Sequence, residues 1–490
     1  MLPYSKLPSP DPPPKKSKFP ELDQKSSLNG LIYPTLSLQS PRSWLLLVIL
    51  LLQVIFVLLL RSVSMSFSSS HVAPQQSHPE ISASVPRVSD QCELGKIYVY
   101  DLPKSLNEEL LQNCHELNPW GSRCDMLLND GFGRQANALN GVVPENLVPA
   151  WHWTDQFVLE IIFHRRILNH RCRTLEPESA AAFYLPFYVG LAVGKYLWSD
   201  SSAKARDMHC DMMLKWVQDQ PYWNRSDGWD HFTAMGRITW DFRRSKDEDW
   251  GSSCIYKKAM RNITRLLIER NPWDYFDVGV PYPTGFHPRS ESDVTQWQDY
   301  VRSRNRSSLY CFAGATRMVK NDFRSMLLSH CKNESGSCRV VDCEGTRCMN
   351  GTSAILETFL DSVFCLQPRG DSFTRRSIFD CMVAGSIPVF FWKRSAYFQY
   401  AWFLPDEPRS YSVFIDRNEV RNGTKSIKAV LESYSQEEVK RMRDKVIDYI
   451  PKFIYAKSRE GLGTIKDAFD VAIDGVLRRI KEQQELGFKW

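Results

Sequence analysis

Residues 362–391 read SVFCLQPRGDSFTRRSIFDCMVAGSIPVFF. The residue types follow the order strand, turn, helix, strand. Val363–Leu366 is a short apolar run of the kind that parallel sheets bury on both faces. Pro368–Ser372 carries turn chemistry. Ile378, Phe379, Met382 and Val383 recur at helical spacing, and Gly385 is placed to end that helix. Ile387–Phe391 is the return strand. Such crossovers are right-handed, so Asp371–Arg375 is predicted at the helix N-terminus, on the carboxyl edge of the sheet.

That edge suits an anion, because unpaired helix N–H groups and the helix dipole both favour negative charge there. Gly370 lets the backbone come close. The hydroxyls of Ser372 and Thr374 can donate, and Arg375 and Arg376 can make charge-assisted bonds to phosphate oxygens. Asp371 is an awkward neighbour for phosphate and is expected to cap the helix instead. Asp380, further along, is placed to accept from ribose hydroxyls. The competing reading is a capped helix with solvated arginines. Neither GxxxxGK[ST] nor GxGxxG is present, which weighs against ATP and NAD chemistry.

Outward from this unit the same texture continues. Further strands are predicted at Ile97–Tyr100, Ala181–Phe187, His231–Met235, Phe276–Val280, Leu309–Ala313 and Arg339–Val341. Helices are predicted at Asp155–Leu168, Met208–Val217, Tyr256–Arg270 and Lys320–His330, with a charged helical stretch over Gln436–Gln483. Alternation at this pitch means an α/β fold with parallel sheets. The length is too great for one Rossmann-type sheet. Two are expected, spanning 92–300 and 301–490, with the boundary near the polar run Ser290–Ser308.

The N-terminal part differs. Trp44–Leu60 is seventeen residues, apolar except for Gln53 and flanked by Arg42 and Arg61, a length at the short limit for crossing a bilayer. A cleaved signal peptide fits poorly, since forty-three residues precede the segment. Six Lys/Arg in 1–43 against two in 61–90 keep the N-terminus cytosolic. Residues 1–43 are predicted to be a disordered cytosolic tail, 44–60 a signal anchor and 61–91 a Ser/Pro-rich lumenal stem. All thirteen Cys and all six sequons (Asn224, Asn262, Asn305, Asn333, Asn350 and Asn422) follow the segment, as a lumenal body requires. An odd Cys count leaves at least one thiol free or paired between chains. Cys331, Cys338, Cys343 and Cys348 lack the C-x2-C knuckle, which favours disulfides over zinc. A net charge of +6 without a basic, aromatic-interleaved stripe argues against nucleic acid.

With these residues in view, a resemblance becomes specific. The 362–391 segment resembles the donor-site signature of the exostosin-type glycosyltransferases, and most of all their plant xyloglucan galactosyltransferase branch. Other similar blocks are WHWTDQFVLEIIFHRRILNHRCRT (151–174), AAFYLPFYVGLAVGKYLW (181–198), GWDHFTAMGRITWDFRR (228–244), DVGVPYPTGFHPR (277–289), FAGATR (312–317) and SAYFQYAWFLP (395–405). One departure is Ser386, where relatives usually carry Cys. The resemblance implies two facing Rossmann-like domains (GT-B type), a type II Golgi membrane topology, inversion at the anomeric carbon, and neither cofactor nor obligatory metal. It also implies that Gly314 and Arg317 approach the nucleotide or diphosphate across the cleft. The implied partners are a UDP-sugar donor, a xyloglucan acceptor, the Golgi membrane and complexes with other Golgi glycosyltransferases.

Inversion calls for a base that takes the acceptor's hydroxyl proton. Three candidates sit in the similar blocks: Asp241, after a strand end; Glu160, on the polar side of an amphipathic helix; and His231, at the start of an apolar strand. Asp247-Glu248-Asp249 matches the D-x-D of metal-dependent glycosyltransferases, but it lies in a polar run and not at the end of an apolar strand, so a solvated loop is expected. Galactose transfer from UDP-galactose to xylosyl side chains of xyloglucan is the leading expectation. The alternatives are another UDP-sugar, such as UDP-galacturonic acid, or a non-catalytic Golgi protein.

Overall fold

The computed structural model of the protein describes Gln53 and residues 92–118, 121–316, 322–344, 348 and 353–486. The chain forms two compact units, Met1–Ser89 and Asp90–Trp490, and the second is the subject below. The predicted tail, membrane anchor and stem, together with Arg317 and Asn350, lie outside the described residues (Gln53 excepted). Among the described residues no helix is long and apolar enough to cross a membrane.

Thirteen strands are described. They are β1 (Lys96–Val99), β2 (Arg134–Gln135), β3 (His152–Trp153), β4 (Arg173–Thr174), β5 (Ala180–Tyr184), β6 (His231–Ile238), β7 (Thr264–Glu269), β8 (Asp277–Gly279), β9 (Ser308–Gly314), β10 (Cys338–Asp342), β11 (Ser362–Gln367), β12 (Ile387–Phe390) and β13 (Val413–Phe414). One sheet has the order β4-β1-β5-β6-β7-β8 and a second the order β10-β9-β11-β12-β13, while β2 and β3 form a small antiparallel pair. The ladders of both large sheets are parallel, for example Cys365 opposite Cys311 between β11 and β9. The α/β class with parallel sheets follows as expected. In each sheet the chain reverses its direction of travel once, between β1 and β5 and between β9 and β11. Crevices for ligands open at such points, beyond the carboxyl ends of the strands.

One predicted element is corrected. Tyr256–Arg270 is not a helix: two short 3-10 turns lead into β7, whose six residues are all buried. The run Thr264–Glu269 is short, fully apolar at its centre and closed by Asn271–Pro272, which is the pattern of a strand interior to a sheet. As a strand, it sends its last residue, Glu269, to the carboxyl edge.

The polar run after β8 folds into the helix Glu291–Ser303, capped by Ser290, whose side chain accepts from the Asp293 N–H. Its Trp297 is fully buried between the sheets and donates to the Val383 carbonyl at 2.8 Å. The final helix, Ala468–Glu485, opens with a capping box between Asp467 and Asp470. It returns to the first sheet, where Phe469 meets Phe163 with ring centroids 5.1 Å apart. Buried Arg166 reaches Asp467 at 3.3 Å and Asp470 at 3.1 Å, and Arg479 donates to the Tyr275 carbonyl at 2.8 Å.

Among the described residues the cysteines form Cys92–Cys172, Cys114–Cys124, Cys210–Cys254, Cys331–Cys338, Cys343–Cys348 and Cys365–Cys381. Cys311 is free and buried. The cluster Cys331–Cys348 is therefore two disulfides. Ser386, the departure from the family pattern, is fully buried, donates to the Phe359 carbonyl at 2.6 Å and accepts from Arg306 at 2.7 Å. Of the sequons, Asn224, Asn305, Asn333 and Asn422 are exposed, and Asn262 is half-buried with its amide donating to the Asp227 carbonyl at 3.0 Å.

Candidate functional site

The turn that follows β11 stands at the β9/β11 crevice, facing the carboxyl ends of β6 and β7. Gly314, the last residue of β9, and Gly370 both lie against Arg375. A Cβ on Gly314 would sit 3.1 Å from Arg375 Nη2, and one on Gly370 would sit 2.5 Å from the Thr374 carbonyl oxygen. Larger residues at either place would push the arginine or the turn aside.

Arg375 bridges the crevice. Its Nη2 donates to the Ala313 carbonyl at 3.1 Å, while its Nη1 is buried with no hydrogen-bond partner among the described residues. Burial, reinforced by neighbouring Arg324, pushes the guanidinium down to about 10. A buried, unpaired donor costs free energy unless a ligand satisfies it. A cation lowered by burial and by a second cation beside it, at the carboxyl edge of a parallel sheet, marks a place for an anion.

The turn itself differs from expectation. The helix begins only at Ser377, with Arg376 in the cap position and no side-chain cap, so Asp371 is not the cap. Asp371 is exposed and lies 3.6 Å from Arg324 Nη2. The reason is Glu269, a residue that reading the sequence did not single out. Its carboxylate accepts from Ser372 Oγ (2.7 Å), Phe373 N (3.2 Å), Thr374 N (2.8 Å) and Trp240 Nε1 (2.8 Å). These donors hold Ser372–Thr374 out of the helix and tie the turn to the first sheet. They also take up the Ser372 hydroxyl and two of the N–H groups expected to face a diphosphate. The Thr374 hydroxyl meets Tyr400 Oη at 3.1 Å. Arg376 is likewise engaged, donating to the Thr154 carbonyl and pairing with Asp380 at 3.2 Å. Burial raises the Asp380 carboxyl, against the pull of Arg376 and Arg375. Of the two arginines in the turn, Arg375 is the one that keeps a donor without a partner among the described residues.

The three base candidates occupy different surroundings. Asp241 is buried on a 3-10 turn after β6, accepting from Arg237 Nε at 2.7 Å and Trp250 Nε1 at 2.8 Å. It shares a neighbourhood with the turn, since the buried Tyr282 phenol is raised first by burial and then by Glu269, Tyr400 and Asp241. Arg375 in turn feels Tyr282. His231 is fully buried inside the first sheet, bonded to Tyr100 Oη at 2.9 Å and Asp230 at 2.7 Å. Glu160 is not on a solvated face: only 1% exposed, it accepts from the N–H groups of Gly190, Leu191 and Gly236. The helix carrying it is buried nearly all round, so the polar side inferred from periodicity faces β6 and not water. Asp247-Glu248-Asp249 forms a loop in which Asp247 pairs with Arg244.

Burial pushes the Glu160 carboxyl up to about 7 from 4.5, against the backbone donors. A raised carboxyl pKa means proton uptake on folding, so its stabilisation is present below pH 4.5 and is lost as pH rises through 7. Relative to the parent, Glu160→Gln should flatten the fall in unfolding free energy between pH 5 and pH 8 by roughly 3 kcal/mol. Urea titrations of both proteins at the two pH values measure this; equal slopes would contradict it.

Comparison with known proteins places the chain among carbohydrate enzymes. Residues 91–431 match the exostosin GT47 domain. The chain is 61% identical over 520 aligned positions, covering 100% of both chains, to xyloglucan galactosyltransferase XLT2 of Arabidopsis thaliana. It is 40% identical to xyloglucan galactosyltransferase MUR3 of the same plant, over 80% of this chain and 63% of that one. It is 38% identical to xyloglucan-specific galacturonosyltransferase 1, also of Arabidopsis thaliana, over 79% of this chain and 58% of that one.

Proposed function

Because the chain belongs to the exostosin GT47 family, we propose that it is an inverting galactosyltransferase, moving galactose from UDP-galactose to xylosyl side chains of xyloglucan. Its two sheets are the two facing Rossmann-like lobes of a GT-B enzyme, and it works in the Golgi lumen behind a single membrane anchor. The observation that carries the reading is the buried, unpaired Nη1 of Arg375 at the β9/β11 crevice. The full-length 61% identity supports the choice of sugar and acceptor.

In this reading the acceptor hydroxyl attacks the anomeric carbon of galactose from the side opposite UDP. The carbon–oxygen bond to UDP breaks, and its electron pair passes to the leaving diphosphate. Arg375 meets the charge that develops there, and the burial of its Nη1 strengthens the contact. Gly314 and Gly370 let the diphosphate reach the guanidinium. Asp241 takes the acceptor proton, as the base candidate that shares Tyr282 with the donor turn. No metal is required, because the arginine does the work of a divalent cation.

The test is to express the full chain through a eukaryotic secretory pathway and offer a panel of UDP-sugars with xyloglucan oligosaccharides. Transfer from UDP-galactose is expected, in material whose mass falls on treatment with an N-glycosidase. Transfer from no donor would overturn the enzyme reading; transfer from UDP-galacturonic acid alone would overturn galactose. EDTA should leave the rate within about twofold, a negligible change in barrier. Loss of activity restored by Mn²⁺ would overturn the metal-free mechanism.

A further inference from the structure

Phe373, in the middle of the donor turn, is the hub of an aromatic cluster that runs outward to the surface. Its ring meets Trp240 at 5.2 Å, Trp392 at 5.1 Å and Trp273 at 6.4 Å, each nearly edge-on. These residues come from the carboxyl ends of β6, β12 and β7, so the cluster spans both sheets. Trp240 is anchored on Glu269. Trp273 is different, being 64% exposed.

That exposure is held in place by the structure. Asp274, the next residue, pairs with buried Arg265 at 2.9 Å and with Arg243 at 2.7 Å. Asn271 N donates to Asp277 Oδ2 at 3.1 Å, and the Trp273 N–H donates to Asn271 Oδ1 at 3.2 Å. The loop is thus fixed on both sides of an indole that buries little of itself. Arg394 lies 4.8 Å from the Trp273 ring centre, 5.5 Å from Trp392 and 5.9 Å from Phe373. It forms neither a hydrogen bond nor an ion pair with any described residue. A large exposed aromatic, fixed through its loop beside the donor turn, offers a ligand a stacking surface. A planar ring with an unengaged guanidinium over one face suits a neutral, polyhydroxylated chain: the other face stacks on the C–H face of a pyranose, and the N–H donors reach its hydroxyls.

We propose that Trp273 and Arg394 form an acceptor subsite that grips the glucan backbone of xyloglucan outside the reacting xylosyl branch. The proposal rests on the acceptor assigned above. The subsite is continuous with the donor turn through Phe373, so a bound backbone is brought alongside the sugar to be transferred. Its pull acts on acceptor binding and not on the donor.

The full chain in detergent is titrated calorimetrically with a xyloglucan oligosaccharide in the presence of UDP, and separately with UDP alone. For Trp273→Ala, the oligosaccharide Kd and the acceptor KM should rise about fivefold or more. The Kd for UDP should stay put, and kcat at saturating acceptor should move less than KM. Trp273→Phe should recover most of the loss, which a merely structural role would not predict. An unchanged Kd and KM in Trp273→Ala, with an active parent, would overturn the subsite and leave the function standing. A parent that neither binds nor galactosylates the oligosaccharide would overturn both. Preference for an acidic oligogalacturonide, lost in Arg394→Ala, would overturn the neutral-chain assignment.

Discussion

Arg375→Ala should lower kcat by at least about 10²-fold, a loss near 3 kcal/mol of transition-state stabilisation, as is typical when one preorganised electrostatic donor is removed. The argument is one of position. Of the two arginines in the turn, Arg376 already spends its guanidinium on the Thr154 carbonyl and Asp380. Arg375 keeps a buried Nη1 without a partner among the described residues. Arg376→Ala should therefore act through the fit between the sheets, lowering stability more than the chemical step. Steady-state rates with UDP-galactose, beside unfolding midpoints for both variants, separate the two effects. Arg375→Lys should recover little, since an ammonium cannot keep the Ala313 contact and reach the ligand together. A near-normal kcat in Arg375→Ala would remove the leaving-group role.

The second large effect belongs to Glu269. Replacing it with Ala would take the acceptor from the Ser372 hydroxyl, two backbone N–H groups and the Trp240 indole N–H, all buried or partly so. A cost of roughly 3–5 kcal/mol in unfolding free energy is expected, because losing one side of a buried charged network leaves the other side unsatisfied. The donor KM should rise as well, since Gly370–Arg375 would lose the contact that shapes it. Glu269→Gln keeps one acceptor oxygen and should cost less on both counts. Burial pushes this carboxyl up to about 7. As with Glu160, its contribution is present below its unfolded value and is lost as pH rises through 7. Denaturant unfolding and UDP titration of the two variants read these effects. A stable Glu269→Ala protein with an unaltered donor KM would show that the turn stands without it.

The strand–turn–helix–strand unit at 362–391 was legible because apolar spacing and Gly385 are local signals that tertiary packing here reinforces. Gly370 stood out as part of that turn and Gly314 through the resemblance of FAGATR to its family's block, and both lie against Arg375. What was not legible depended on contacts between distant residues. Glu269 went unseen because Thr264–Glu269, read together with Tyr256–Met260, passes for the end of one long helix; read alone it has a strand's pattern, and its pairing with β6 and β8 realises it. Asp371 looked like a cap because nothing local reveals that a carboxylate 102 positions upstream has taken the turn's N–H groups. Glu160 looked solvated because a helix face that meets glycines Gly190 and Gly236 carries no apolar mark in their sequence. Polar groups whose partners are backbone atoms leave no signature in spacing.

The return of the last helix to the first sheet bears on how the protein is made. Asp467 and Asp470 complete the burial of Arg166, some 300 residues earlier, and Arg479 holds the loop that presents Trp273. Ribosomal synthesis delivers these partners long after the first sheet. Without them Arg166 would lack its carboxylates and Phe163 would lose its contact with Phe469. Docking of the final helix thus completes the first lobe, and cutting the chain before Asp467 would leave Arg166 without its carboxylates and the Trp273 loop without its brace.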